Sequence, residues 1–137
     1  MADINFTENS VKPTSTTVKA RAKFGATITQ GMALYLDTTD GEYKIAHCET
    51  SATTANASAL ALTSGADGQP GWVATGGDVT VDNLSLAAPV LILSASGGVC
   101  PSADLATNDY ITIIGAAKST TVLSLSFKPT GVKAAGI

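Results

Sequence analysis

Apolar and polar residues alternate with a period of two over several stretches of this chain, which is typical of half-buried β-strands. The clearest N-terminal run begins at Thr16, and its apolar positions are Val18, Ala20, Ala22 and Phe24. The clearest C-terminal run places Leu123, Leu125 and Phe127 opposite Val122, Ser124 and Ser126. Each run therefore predicts a strand with one face against a core.

Short segments rich in Gly separate these runs and predict tight turns. Asp40-Gly41 lies between the runs 32–37 and 42–46 and is a strong hairpin signal, because Gly accepts positive φ and Asp tolerates it. Three further hairpins are predicted, with turns at 76–78, 94–96 and 118–120.

The pattern predicts one domain with an extension at each end. Residues 1–15 show no sustained period and contain Pro13, so we expect an extended arm. Residues 16–127 form the predicted β domain, with at most one short helix in the Ala-rich segment 49–59, and residues 128–137 form a C-terminal tail. About eight short strands with Gly-rich turns predict an all-β fold, either a small barrel or a sandwich.

The composition fits one compact domain and excludes several classes of protein. The chain has 137 residues, of which 45% are hydrophobic and only 14% charged, and its isoelectric point is about 4.8. These values argue against a coiled coil, a charged disordered tail and a nucleic-acid-binding protein. The longest apolar run, residues 87–93, has the length of a strand, so no membrane span is predicted. Asp3 stands where a secretory signal is basic, and we expect synthesis in a cytoplasm.

The few charges are unevenly distributed. Residues 1–23 carry a net charge of +2, residues 24–117 carry −8 and residues 118–137 carry +3. The basic residues of the first segment are Lys12, Lys19, Arg21 and Lys23. Basic ends on an acidic body suggest ends that dock on an acidic surface, with simple solvation of those ends as the alternative.

The sequence offers no catalytic or metal-binding constellation. His47 is the only His, and its neighbour Cys48 would point to the opposite face of a strand. We therefore predict that the chain is not an enzyme and needs no metal or cofactor. The acidic residues of the first hairpin, Asp37, Asp40 and Glu42, are interpreted as a solvated turn, with weak Ca²⁺ binding as the alternative.

The cysteines and the single Trp each leave two interpretations open. Cys48 and Cys100 are interpreted as buried thiols, and a disulfide between them is the minority hypothesis. Trp72 is interpreted as a core residue beneath the Pro70-Gly71 loop, with an anchor at a subunit interface as the alternative.

The order of strands and turns resembles the small capsid decoration, or cement, proteins of tailed bacteriophages. The segments that carry this resemblance are 26–37, 40–46, 50–59, 60–62, 71–79, 89–98 and 114–117. Together they cover most of residues 24–127, and they are matches of pattern and turn, without a reactive residue among them.

The resemblance implies a homotrimer on the outer surface of a phage head. It would sit at three-fold or quasi-three-fold positions and stabilise the shell by bridging major capsid proteins. We expect Lys12, Lys19, Arg21 and Lys23 to face the acidic shell. Two rival functions are kept: a host- or carbohydrate-binding β module of a phage fibre, and a small hydrolase that uses His47.

Overall fold

The computed structural model describes residues 11–48, 53–82, 84, 86, 89–94, 97–101 and 110–133, with side chains as far as Lys128. This part of the chain contains ten strands and no helix. The strands are β1 (Lys12–Pro13), β2 (Val18–Lys23), β3 (Ala33–Asp37), β4 (Glu42–Ile45), β5 (Ala59–Ala61), β6 (Pro70–Thr80), β7 (Val90–Leu93), β8 (Val99–Pro101), β9 (Tyr110–Ala117) and β10 (Val122–Lys133). The all-β prediction is confirmed.

The strands form one antiparallel sheet that curls into a half-barrel. Its main order is β4-β3-β5-β6-β10-β9-β7-β8, and β1 and β2 both pair with β6. The long strand β6 joins the two halves of the sheet. Its first part lies between β2 and β5, and its last part lies between β1 and β10.

The first half of the sheet curls until β4 returns to the end of β2. Phe24 and Tyr43 form a parallel bridge there, and the Gly25 N–H donates to the Tyr43 carbonyl at 2.8 Å. A small core fills the inside of this curl, and its buried members are Phe24, Ile28, Leu34, Ala59, Ala61 and Val73. A larger core lies against the second half of the sheet and includes Leu60, Leu91, Leu93, Ile114 and Leu123.

Three of the four predicted hairpins are confirmed. β3 and β4 pair antiparallel around Gly41, which has a φ of 74°, and this left-handed conformation is what the Asp-Gly signal indicates. β7 pairs with β8, and β9 pairs with β10. In β10, Leu123 and Leu125 are buried while Ser126 is exposed, as the alternation predicts.

The hairpin predicted at Gly76-Gly77-Asp78 is wrong, because β6 continues straight through these residues. Gly77 does adopt a positive φ, 77°, but it lies within β6, opposite the turn between β1 and β2, and does not form a turn itself. The Thr14 hydroxyl donates to the Asp78 carbonyl at 3.0 Å, and the Thr17 hydroxyl donates to the same oxygen. The turn beside β6 thus bonds to a carbonyl within the strand.

Two smaller expectations also differ from the structure. Val18, predicted to face the core, is 55% exposed. The register shifts between Val18 and Lys19, and Gly76 opposite Val18 has no side chain to cover it. The helix predicted within 49–59 does not form in residues 53–59, which make turns and then enter β5, while residues 49–52 lie outside the described part.

The structure also shows where parts of the predicted extensions lie. Val11 is 1% exposed, and the Gln30 side-chain amide donates to its carbonyl at 2.5 Å. Pro13 lies in β1 at the edge of the sheet, where its missing N–H is tolerated. β10 runs on to Lys133, within the segment assigned to the tail. Residues 1–10 and 134–137 of the two extensions lie outside the described part.

The described residues include no helix long and apolar enough to cross a bilayer.

Candidate functional site

The four predicted contact residues lie along one edge of the sheet. Lys12 belongs to β1, and Lys19, Arg21 and Lys23 alternate along β2. All four are exposed. β1 and β2 both run beside β6, so the four cations follow one edge of the sheet. Lys12, opposite Thr80, lies six positions of β6 beyond Lys19, which is opposite Ala74.

Trp72 lies beside this edge, and the prediction that it lies in the core is wrong. Its side chain is 41% exposed. Trp72 is the register partner of Arg21, so both side chains are on the same face of the sheet. The Arg21 guanidinium carbon lies 5.3 Å from the centroid of the indole ring, which is within the range of a cation–π contact. We call Lys12, Lys19, Arg21, Lys23 and Trp72 the basic edge.

The alternation of buried and exposed residues along β6 does not predict this exposure. Val73 follows Trp72 and is completely buried, and a strand with one buried face exposes the residues on either side of such a position. Ala74 is nevertheless buried as well, so the alternation alone would not have placed Trp72. The pairing with β2 places Trp72 opposite Arg21.

Two depressions lie on either side of Trp72. One has a volume of about 220 Å³ and is lined by Pro13, Lys19, Leu62, Thr63 and Trp72. The other has a volume of about 260 Å³ and is lined by Arg21, Thr63, Ser64, Pro70, Gly71 and Trp72. Trp72 and Thr63 therefore contribute to the lining of both recesses.

The positive charge of the basic edge is only partly neutralised. Lys23 lies 3.3 Å from Glu42 of β4. Among the described residues, no carboxylate is within ion-pair distance of Lys12, Lys19 or Arg21. These three cations are therefore available to an acidic partner. Attraction between exposed charges falls off within about 10 Å at 0.1 M salt, so the partner has to come close.

The acidic residues of the first hairpin hold a lysine. The Lys44 ammonium lies 2.7 Å from Asp37 and 3.0 Å from Asp40. Hydrogen bonds from Lys44 and Thr39 hold the pKa of Asp37 well below its usual value, and bonds from the Glu42 N–H and Lys44 lower the pKa of Asp40. The same two carboxylates raise the pKa of Lys44. In the described residues, no group of three metal-ligating side chains is found.

His47 and the two cysteines lie away from the basic edge. His47 follows β4 rather than lying within it, and its N–H donates to the Thr54 carbonyl at 2.9 Å. Cys48 and Cys100 are completely buried, which agrees with their interpretation as small core residues. Of the residues singled out in the sequence, the structure brings Lys19, Arg21, Lys23 and Trp72 together on one face, and Lys12 lies farther along the same edge.

No family model, no curated protein and no solved structure matches this chain. The likeness to phage decoration proteins accordingly remains a prediction from the sequence.

Proposed function

We propose that this chain is a capsid decoration protein of a tailed bacteriophage. It binds the outer surface of the head as a homotrimer, at three-fold or quasi-three-fold positions, and it bridges neighbouring major capsid proteins. The observation that carries the proposal is the basic edge, in which Lys19 and Arg21 lie beside an exposed Trp72 on a compact all-β domain.

This surface has the chemistry of a protein-binding site. Trp and Arg are enriched among the residues that dominate binding energy at protein interfaces. Cations without internal partners attract an acidic surface and orient the approaching molecule. The net charge of the chain is −3, so its overall charge does not draw it to nucleic acid, and the attraction is local to the edge.

Binding at many equivalent positions would stabilise the shell by mass action. A ligand that binds only the assembled state adds a free energy that grows with the ratio of its concentration to its dissociation constant, about 2.7 kcal/mol at a hundredfold excess. Each bound trimer would contribute such an increment at its own position. Decorated heads are therefore expected to resist heat or internal pressure better than bare ones.

The proposal is tested by adding the purified chain to heads assembled without it from the major capsid protein of the same phage. We expect saturable binding, a higher melting temperature of the heads in calorimetry, and a trimer mass in light scattering. Failure to bind these heads at micromolar concentration would refute the proposal. A monomer that nonetheless binds and stabilises would refute the trimer alone.

Trp72 was also predicted as a subunit-interface anchor, and the same experiment separates the two roles. If Trp72→Ala remains trimeric but binds heads weakly, the indole contacts the capsid. If it becomes monomeric, the indole holds the trimer together. We place Trp72 at the capsid contact, because the cations that share its face are those expected to meet the shell.

A second candidate function is a host- or carbohydrate-binding module of a phage fibre. One observation favours it: an exposed indole between two recesses is a platform on which a sugar ring can stack. However, the Arg21 guanidinium already lies over that ring. Saturable binding on a glycan array, together with absence of binding to heads, would replace the first proposal by this one.

A further inference from the structure

The backbone of β6 at Trp72 bonds away from β2. The Trp72 N–H donates to the Thr63 hydroxyl at 3.1 Å, and the Trp72 carbonyl accepts from the Leu62 N–H at 2.9 Å. Both partners follow β5, on the opposite side of β6 from β2. In an antiparallel pair, facing residues alternate between those that exchange backbone hydrogen bonds and those that do not. Arg21 and Trp72 therefore form a pair without backbone hydrogen bonds.

It follows that the N–H and carbonyl of Arg21 point away from β6, to the outer edge of β2. The register from Lys19 to Lys23 is continuous, so Lys19 repeats this geometry two residues earlier. Ala20 and Ala22 take the alternate positions, where they face Val73 and Gly71 and bond to β6. The edge thus presents four outward backbone groups, two from Lys19 and two from Arg21.

This edge is open over Val18–Ala22. Beyond it, the Gly25 N–H bonds to Tyr43 and the Lys23 side chain pairs with Glu42, so β4 closes the far end. Within the part of the chain that the structure describes, no strand pairs with the outer side of Val18–Ala22. Five residues of strand span roughly 17 Å, which is enough for a short added strand.

We infer that the outer edge of β2 binds an extended acidic segment of the partner protein as an additional β-strand. The outward groups of Lys19 and Arg21 would supply the backbone hydrogen bonds, and their side chains would select acidic residues at alternate positions. The inference deepens the proposed function and rests on it only for the source of the segment, the major capsid protein. Strand addition to an open sheet edge is a general mode of peptide recognition.

Charge complementarity excludes a second copy of β2 as the occupant. Antiparallel pairing of two copies about a two-fold axis would bring the cations at Lys19, Arg21 and Lys23 against those of the other copy, and like charges directly opposite are destabilising. An acidic strand places its carboxylates there instead. On the other face, the added strand meets Ala20 and Ala22, which are half-buried and leave room for apolar side chains.

The same lysines would also suit a different role, that of keeping an open edge from pairing with anything. The two roles differ in whether the backbone groups of β2 form hydrogen bonds with the peptide. A protective edge attracts acidic peptides through its side chains alone, whereas an accepting edge also bonds through the N–H groups of Lys19 and Arg21. Amide hydrogen exchange of these two residues distinguishes them.

The experiment measures amide exchange by NMR on the full chain, with and without a blocked seven-residue peptide in which Glu alternates with Val. The control peptides carry Lys for Glu, or the same residues with all Glu at one end. At a free peptide concentration ten times the dissociation constant, exchange at Lys19 and Arg21 should slow by about tenfold. Exchange at Ala20 and Ala22 should not change, because their N–H groups already bond to β6.

Two substitutions at one position separate charge from backbone pairing. Lys19→Thr removes the ammonium and keeps the N–H, whereas Lys19→Pro removes both. Because the Lys19 N–H does not bond to β6, the Pro variant is expected to fold, and its thermal unfolding checks this. We expect Lys19→Pro to bind the alternating peptide at least about tenfold more weakly than Lys19→Thr.

The inference is overturned if the peptide binds without slowing exchange at Lys19 and Arg21, if the Lys peptide binds equally well, or if no peptide binds. Exchange on the head-bound chain then separates this inference from the proposed function. Binding to heads without protection of the two amides would overturn strand addition and leave decoration standing. If the peptide slows exchange at Lys19 and Arg21 but the chain does not bind heads, decoration is overturned and strand addition stands.

Discussion

Arg21 and Trp72 face each other across β2 and β6, with the guanidinium carbon 5.3 Å from the centroid of the indole ring. Each side chain limits the freedom of the other, so the surface offers a cation and an aromatic ring in one fixed arrangement. Such preorganisation lowers the entropy that is lost when a partner binds. The pair is also too exposed to add much to the stability of the fold.

We expect Trp72→Ala to weaken binding to phage heads by at least about tenfold while lowering the free energy of unfolding by about 2 kcal/mol or less. The physical reason is that Trp72 is 41% exposed and outside both cores. Occupancy on heads and urea unfolding measure the two effects. Phe24→Ala is the contrast, because this fully buried side chain should cost about 3–5 kcal/mol. Full binding by Trp72→Ala would remove the indole from the interface.

The Asp37–Lys44–Asp40 group should make stability depend on pH at both extremes. The pKa values of Asp37 and Asp40 are lowered from 3.8 in the folded chain, so their contribution is present above that value and is lost as the pH falls below it. The pKa of Lys44 is raised from 10.5, so its contribution is present below 10.5 and is lost as the pH rises above it. Between these limits the contribution should be constant.

Asp37→Asn tests this linkage. The variant should be slightly less stable than the wild type at pH 7, and the difference should shrink when both are unfolded at pH 2–3. The effect should be small, because all three side chains are partly exposed and screened by solvent. Asp67→Asn, at an exposed turn residue, is the control. A difference between wild type and Asp37→Asn that grows as the pH falls would contradict the assignment.

Gly77 and Gly76 are adjacent in β6 but should respond very differently to substitution by Ala. A Cβ on Gly77 would lie 2.0 Å from the Thr16 carbonyl oxygen, and the φ of Gly77 is 77°. Gly77→Ala should therefore lower the free energy of unfolding by more than about 2 kcal/mol. A Cβ on Gly76 would contact only Val18, at 3.8 Å. Gly76→Ala should therefore change the free energy of unfolding by about 0.5 kcal/mol or less.

Urea unfolding of the two variants measures this difference. Gly41→Ala adds a useful third case, because Gly41 has a φ of 74° but no atom within 4 Å of the added Cβ. Its cost of about 1 kcal/mol should reflect backbone conformation alone. If Gly77→Ala were as mild as Gly76→Ala, the close contact between β6 and the turn after β1 would be wrong.

Local signals in the sequence were enough to predict strands and most hairpins. Asp40-Gly41 specified a turn because few other dipeptides accept its backbone conformation, and β3 and β4 pair as expected. Gly76-Gly77-Asp78 also predicted a hairpin, and this prediction is wrong because β6 continues through these residues. A positive φ at Gly77 is compatible with either a turn or an irregularity within a strand, and the choice depends on Thr14 and Thr17, which bond to Asp78 from more than sixty residues away.

The candidate site was predicted in its residues but not in its arrangement. Alternation placed Lys19, Arg21 and Lys23 on the outer face of a strand, and they are exposed on β2. That Lys12 extends the same edge, and that Trp72 joins it, depends on the pairing of β1 and β2 with β6. Pairing between distant strands leaves no mark in the local pattern, which is why Trp72 was assigned to the core.

The most direct test of the account compares the occupancy of undecorated heads by the wild-type chain, by the Lys19→Glu/Arg21→Glu variant and by Lys128→Glu. Lys128 is an exposed cation on β10, outside the basic edge, and is the matched control. We predict that the double variant binds at least about tenfold more weakly, with unchanged folding, and that Lys128→Glu binds almost as well as the wild type. Equal occupancy by all three proteins would contradict the claim that this chain binds its partner through the basic edge.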